Sequence, residues 1–360
     1  MKHSEILSNL VINKSSRIGI VGLGYVGLPL LIRFQEQGFP VTGFDNNIDS
    51  VNRLNRGHSP IKHIPNNKIR TLIEAENCFI TDDPRNSSSC DILIICLPTP
   101  LSEDDTPDLS YIQNYLDSIK EFIREGQLIS LESTTYPGTT DEIFVAFAEN
   151  LGFQVGNNIF ISYSPEREDP GNLNFSTRNI PKLCSGVTQS CSKVAKLVYE
   201  SVIDDVVMVE SPKVAEMAKL LENTYRAVNV GLINEMRIIA SALDIDIYEV
   251  INAASTKPFG FTPYFPGPGL GGHCLPIDPI YLSWKAKQIG VNSNFIELAA
   301  KVNRSVPEQV VNCLEKSLKL DKQEIKGKKI LLAGLAYKKN IDDARESPSY
   351  EILDILVKKG

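Results

Sequence analysis

Cys274 stands in the run GLGGHCLPID, whose glycines would let other groups crowd its sulfur, and Asp278 offers a carboxylate four residues later. That pairing is suited to a covalent step at an electrophilic carbon. His273 adjoins the cysteine, but neighbours in an extended segment point to opposite sides, so it reads as structural rather than as the base. The other six cysteines, at 78, 90, 96, 184, 191 and 313, show no CxxC spacing and no Cys/His cluster, which indicates neither a metal site nor a disulfide framework. Cys78, Cys96, Cys184, Cys191 and Cys313 read as small buried hydrophobes. Lys219 and Asn223 form a second pair, i and i+4 on one helical face, where an ammonium and an amide could stabilise a developing alkoxide or oxyanion. The same spacing also fits a solvated face with Glu216 and Glu222 as partners. A third feature is GLGYVG at 22–27, with Gly22, Gly24 and Gly27 enclosing Tyr25 and Val26. Its backbone amides at a helix start could hold a pyrophosphate. Asp45 follows Gly27 by 18 residues, where a carboxylate can accept from adenosine ribose hydroxyls and repel a 2′-phosphate, which favours NAD over NADP.

These residues need particular elements to carry them. RIGIV (17–21) reads as a strand running into the glycine turn, and PVTGFD ends a second strand at Asp45. DILIICLP (91–98), QLISLEST (127–134), NIFISYSP (158–165) and VVMV (206–209) read as further strands, with helical patterns at 110–124 and 140–151 between them. Alternation of this kind predicts an α/β layer with a mainly parallel sheet, assigned to residues 1–210 as a Rossmann-like NAD-binding domain. From Ser211 the period becomes helical for some 30 residues, with Pro only in the first turn. Such a helix, near 45 Å long, would bridge domains or subunits. It opens a helical central and dimerisation domain, 211–318, which also holds the Gly/Pro-dense loop 257–279. A loop of that length is usually functional. KGKKILLAGLAYKKN (326–340) then reads as a strand and turn, opening a third segment, 319–360.

The 360 residues exceed what one core usually serves, so two or three domains are expected. With 37 basic against 44 acidic residues the formal net charge is −7, which argues against broad attraction to nucleic acid or anionic membrane. The start lacks the apolar core of a secretory signal, and no stretch is apolar for long enough to span a bilayer, so a reducing cytoplasm is the expected location.

Taken in order, GLGYVGLPL, the FD closing the second strand, CLPTPL (96–101), ESTTYPGTT (132–140), SPER (164–167), IPK (180–182), AEMAKLLENTYRAVN (215–229), PGPGLGGHCLPIDP (266–279) and GLAYKKNIDDARESP (334–348) resemble the UDP-glucose/GDP-mannose dehydrogenase family. That family oxidises a sugar C6 alcohol to a carboxylate with two NAD. The resemblance implies that Cys274 is the nucleophile, passing through a thiohemiacetal and a thioester. Lys219 and Asn223 would hold the C6 oxygen, Asp278 and Thr134 would position or activate water, and Glu166 would be an acid/base. Pro98, Thr99, Ser133, Thr134 and Arg345 would line the NAD site with the glycine turn. Glu166, Arg167, Lys219, Asn223, Phe265, Gly269, Gly271, Gly272, Tyr337 and Lys338 would contact the nucleotide sugar. The length of the helix beginning at Ser211, for its part, makes a homodimer through it the expected assembly.

The sequence departs from the family at three places. Ser50 stands where many members have a basic residue for the NAD phosphates, leaving Arg53, one turn on, as the substitute. The loop before the cysteine lacks the arginine of UDP-glucose enzymes and offers Lys257 and aromatic residues. With SPEREDPGN (164–172), this points to the branch acting on UDP-N-acetylhexosamines for surface polysaccharide precursors. UDP-N-acetylglucosamine is the first expectation, ahead of its mannosamine epimer and UDP-glucose. Lastly, family members continue into a complete third, nucleotide-binding layer, so 319–360 reads as an incomplete start of one. The sequence is therefore expected to be a fragment, with a catalytically impaired NAD-binding protein as the alternative. A two-electron β-hydroxy acid dehydrogenase would share the first domain and the long helix but need no cysteine.

Overall fold

The structure, a computed structural model, describes all residues except Met1, His63, 168–176, His273 and 339–342. His273 and the latter half of SPEREDPGN thus lie outside the described residues. The chain divides into two compact units, 1–219 and 220–360.

The first unit is built on apolar runs too short for anything but buried strands. Ile18–Val21 (β1), Val41–Phe44 (β2), Ile92–Ile95 (β4), Leu128–Leu131 (β5) and Phe160–Tyr163 (β6) are buried at every position, as strands covered on both faces must be. With Cys78–Thr81 (β3), Lys182–Gly186 (β7) and Val206–Met208 (β8) they form one sheet in the order β3-β2-β1-β4-β5-β6-β7-β8. β1 to β6 run parallel, β7 pairs antiparallel to β6, and β8 is parallel to β7. The helices of this unit are His3–Ile12 (α1), Gly27–Glu36 (α2), Ile48–Asn55 (α3), Asn66–Glu74 (α4), Ser110–Ile119 (α5), a π-helical turn Thr140–Val145 leading into Ala146–Asn150 (α6), and Gln189–Glu200 (α7). Thr188 Oγ1 caps α7 by accepting from the Cys191 amide at 3.2 Å. The buried faces of α1, α2 and α7 supply Leu7, Val11, Leu28, Leu31, Phe34, Val194 and Val198 to one core with the strands. Because the chain goes from β1 outward to β3 and then crosses to β4 on the other side, the order in which strands are added reverses between β1 and β4 while the strands stay parallel. Ligands of open α/β sheets bind outside the strand ends at such a point.

The long helix is Pro212–Ala242 (α8), which agrees with the expected stretch. The second unit holds its later turns with Ile247–Ala254 (α9), Asp278–Gln288 (α10), Asn294–Leu320 (α11) and Pro348–Lys359 (α12). Gly231 lets α11 approach α8, since a Cβ there would meet Asn303 Nδ2 at 3.2 Å, and that same amide donates to the Ala227 carbonyl at 2.9 Å. Lys359 Nζ meets Glu315 Oε1 at 2.8 Å and ties α12 to α11. The strand expected within 326–340 is not present among the described residues, and Leu331 is 90% exposed. All eight described strands belong to the first unit, so this apolar run has no neighbour to satisfy a ladder.

Candidate active site

Most of the predicted cofactor residues fall in one row along the carboxyl edge of the sheet, whereas Arg53 lies in the last turn of α3 and Arg345 belongs to the second unit. Asp45 follows β2, Gly22 follows β1, Pro98 and Thr99 lie just beyond β4, and Ser133 and Thr134 just beyond β5. The segments are tied to one another: Ser133 Oγ donates to the Leu97 carbonyl at 2.6 Å and Thr99 Oγ1 to that of Thr134 at 2.8 Å. Asp45 is held by the Leu23 amide on Oδ2 and the Asn47 amide on Oδ1, each at 2.9 Å. The turn has no room for side chains at two of its glycines. Gly22 has φ of 90° and a Cβ there would lie 2.7 Å from the Cys96 carbonyl oxygen, while one on Gly27 would lie 1.9 Å from the Gly22 oxygen. At Gly24 the space is open. A cradle closed behind and open at its middle glycine, at the start of α2, fits a dinucleotide pyrophosphate. Tyr25 packs on the core, and Val26 precedes the first residue of α2. Arg53 sits in the last turn of α3 and donates to the Ser59 carbonyl at 2.8 Å, beside a hollow of about 620 Å³ that Arg56, His58 and Lys62 also line.

The row continues to Glu166, beyond β6, and there meets the long helix. Lys219 Nζ donates to the Glu166 carbonyl at 2.5 Å and lies 3.2 Å from its carboxylate. Lys219 is 4% exposed, so the solvated-face reading of this residue does not hold. Glu216, one turn earlier, is also buried rather than a surface partner. Its carboxylate accepts from the Gly138 and Thr140 amides at 2.6 and 2.9 Å and from Thr140 Oγ1 at 2.6 Å, pinning the Lys219-bearing turn to the ESTTYPGTT segment. Burial pushes the Glu216 carboxyl above the ordinary glutamate range, against the downward pull of those three donors. Arg167 donates to the Pro181 carbonyl at 2.8 Å.

In the second unit the cysteine loop joins the other half of the predicted set. Cys274 precedes the turn that opens α10, its carbonyl accepting from the Asp278 amide at 2.9 Å. Other thiols are held inert: burial pushes Cys78 and Cys184 up to about 12 and Cys90 up to about 11. Buried Asp278 and Asn223 are hydrogen-bonded, Asn223 Nδ2 donating to Asp278 Oδ2, and Arg226 donates in turn to Asn223 Oδ1. Arg226 was not singled out in the sequence, although its i+3 spacing from Asn223 was a usable signal. Nor was Asn234, whose Oδ1 accepts from the Gly267 amide at 3.0 Å and anchors the loop to α8. Tyr337 covers the loop so closely that a Cβ at Gly272 would lie 2.7 Å from its ring and one at Gly271 2.6 Å from its Cβ. Gly269, with φ of 138°, packs on Pro348. Phe265 is exposed, Lys338 is half-buried, and Arg345 pairs with Asp343 at 2.6 Å.

Comparisons with known proteins assign the chain to a family. Residues 16–203 match the NAD binding domain of the UDP-glucose/GDP-mannose dehydrogenase family, and 213–305 its central domain. The chain is 33% identical over 347 residues to the UDP-N-acetyl-D-mannosamine dehydrogenase of Pyrococcus horikoshii, covering 94% of this chain and 80% of that protein. It is 34% identical over 342 residues to the UDP-N-acetyl-D-glucosamine 6-dehydrogenase of Pseudomonas aeruginosa, with the same two coverages. The solved structure of the P. horikoshii UDP-D-ManNAc dehydrogenase superposes with a TM-score of 0.89 at 31% identity, over 95% of this chain and 81% of that one. With both domain matches in sequence order, the chain belongs to the UDP-glucose/GDP-mannose dehydrogenase family.

Proposed function

We propose that this protein is an NAD-dependent UDP-N-acetylhexosamine 6-dehydrogenase that carries the C6 alcohol to the carboxylate through Cys274. The observation that carries the reading is the buried Asn223–Asp278 pair built one turn beyond Cys274 at the head of α10. It gives the cysteine a carboxylate and an amide fixed against each other, as a two-stage oxidation at one carbon needs. NAD, when bound, supplies the acceptor for each of the two hydrides, and the fingerprint cradle with Asp45, Thr99, Ser133 and Thr134 would hold it. The Lys219 ammonium balances charge on the C6 oxygen. Asn223 has a second Nδ2 hydrogen to donate to that oxygen, the first being given to Asp278. Cys274 Sγ adds to the aldehyde carbon, so the intermediate stays attached between the two oxidations. Water then cleaves the thioester, releasing the thiol and the acid, with Asp278 accepting the water proton and Thr134 orienting it. Glu166, hydrogen-bonded to Lys219, exchanges protons there. Tyr337 and the glycines it covers form a wall for the nucleotide sugar.

UDP-N-acetylglucosamine is the proposed substrate. The two relatives above act, by name, on hexosamines epimeric at C2 and differ by one percentage point of identity to this chain, so the test carries both. With UDP-N-acetylglucosamine, UDP-N-acetylmannosamine and UDP-glucose assayed side by side, the expected result is two NADH per acid formed and the highest kcat/KM for the glucosamine. One NADH per product would replace this reading with a simple alcohol dehydrogenase, and a higher kcat/KM for the mannosamine would reassign the epimer.

The α8 helix supports a homodimer. Leu221, Tyr225, Leu232, Met236 and Ile239 all stand on it exposed, at helical spacing. A contiguous apolar stripe of this kind marks an interaction face. Sedimentation equilibrium is expected to show a dimer that Leu232→Glu with Met236→Glu converts to monomer, and a monomeric parent protein would remove the proposal. Among the described residues no helix is long and apolar enough to cross a membrane.

A further inference from the structure

We infer that Lys182 is a positioning residue for the Glu166–Lys219 pair, acting by clamping the peptide group that joins Pro165 to Glu166. The inference rests on the reading of Lys219 given above. Lys182 opens β7 and is 8% exposed, and Glu132, one residue past β5, is 1% exposed. Its Nζ lies 2.6 Å from Glu132 Oε2 and 3.3 Å from the Pro165 carbonyl oxygen, and 5.2 Å from the centre of the Tyr199 ring. The opposite end of the same peptide group is also held, since the Glu166 amide donates to the backbone carbonyl of Glu132 at 3.2 Å. Thus the oxygen of this peptide is fixed by one member of a buried ion pair and its N–H by the other. Ser164 completes the tie, its amide donating to the Leu131 carbonyl at 2.9 Å and its hydroxyl to that of Leu183 at 2.7 Å.

Rotation of the 165–166 peptide would swing both groups that Glu166 presents to Lys219, the carbonyl and the carboxylate. A buried ion pair is weak evidence for stability, because desolvation of two charges offsets their attraction and apolar replacements are often neutral. A pair that holds both ends of one peptide beneath a charge-stabilising lysine is instead explained by geometry. Charge adds to this: with the ammonium removed, Glu132 would place an uncompensated carboxylate behind Glu166.

The test compares Lys182→Met, Lys182→Arg, Lys219→Met and the Lys182→Met/Lys219→Met double variant, reading kcat and KM for UDP-N-acetylglucosamine and NAD together with thermal melting. Lys182→Met is expected to lower kcat on the order of 10²-fold, as a misplaced reacting group does, with both KM values changed by less than about threefold. Lys182→Arg should recover most of the loss, and in the Lys219→Met background Lys182→Met should cost less than about twofold, because residues acting as a unit are not additive. Unchanged kcat in a folded Lys182→Met protein, or an equal loss in both backgrounds, overturns the inference. Wild-type kcat in Lys219→Met overturns the reading of Lys219 instead. If Lys182→Met does not fold, Lys182→Met/Glu132→Gln removes both charges together, and the same non-additivity with Lys219→Met is expected and the same additive result overturns it.

Discussion

Cys274→Ser is expected to bind NAD normally yet form acid at least about 10³-fold more slowly, a loss of roughly 4 kcal/mol in transition-state stabilisation. A serine hydroxyl at this position stays protonated at neutral pH and is a far weaker nucleophile than a cysteine sulfur. The substitution removes one polarisable nucleophile and keeps the shape of the loop, so Asn223 and Asp278 should remain paired. Cofactor binding should be untouched, because the cradle of Gly22, Gly24 and Gly27 and the carboxylate of Asp45 belong to the first unit and Cys274 to the second. Product chromatography distinguishes acid from aldehyde, and titration of the variant with NAD verifies the intact cofactor site. Acid formed at the parent rate would end the covalent scheme, whatever the substrate proves to be.

The parts of this molecule legible in its sequence are those decided by neighbours along the chain. RIGIV followed by GLGYVG could hardly be anything but strand, turn and helix, and the helical period from Ser211 led to the 31-residue α8. β7 is not legible in this way, because KLCSG starts with a lysine and ends in small residues. Only its pairing with β6 and β8, and the burial of Lys182 against Glu132, make it a strand. The run at 330–333 shows the reverse case, a strand-like sequence with no paired strand among the described residues. The site divides in the same way. Cys274 and Asp278 share one turn and could be read together, whereas Asn223 and Asp278 are 55 residues apart and Lys219 and Glu166 53. Helical spacing told which residues share a face of α8; it carried no information about what that face meets. Glu216 illustrates the consequence, since a glutamate one turn from a lysine resembles a surface ion pair until the loop amides it accepts from are seen.

Lys219→Met is expected to lower kcat by 10²- to 10³-fold, about 3 to 4 kcal/mol, with KM for either substrate changed far less. The ammonium is nearly excluded from water, so its charge acts in a medium that weakens it little. The substitution also has a structural cost, which must be separated from the catalytic one. It takes one donor from the Glu166 carbonyl and the paired ammonium from its carboxylate, and breaking one side of a buried pair typically costs about 3–5 kcal/mol of stability. Lys219→Met/Glu166→Gln removes both charges, so it should melt closer to the parent protein than Lys219→Met does, yet remain as inactive. Stability would then recover between the two variants while turnover did not. If activity returned along with the melting temperature, Lys219 would be a structural lysine that only braces Glu166. If Lys219→Met alone kept kcat within about threefold, the oxyanion role would be gone and the charge on the C6 oxygen would need another partner.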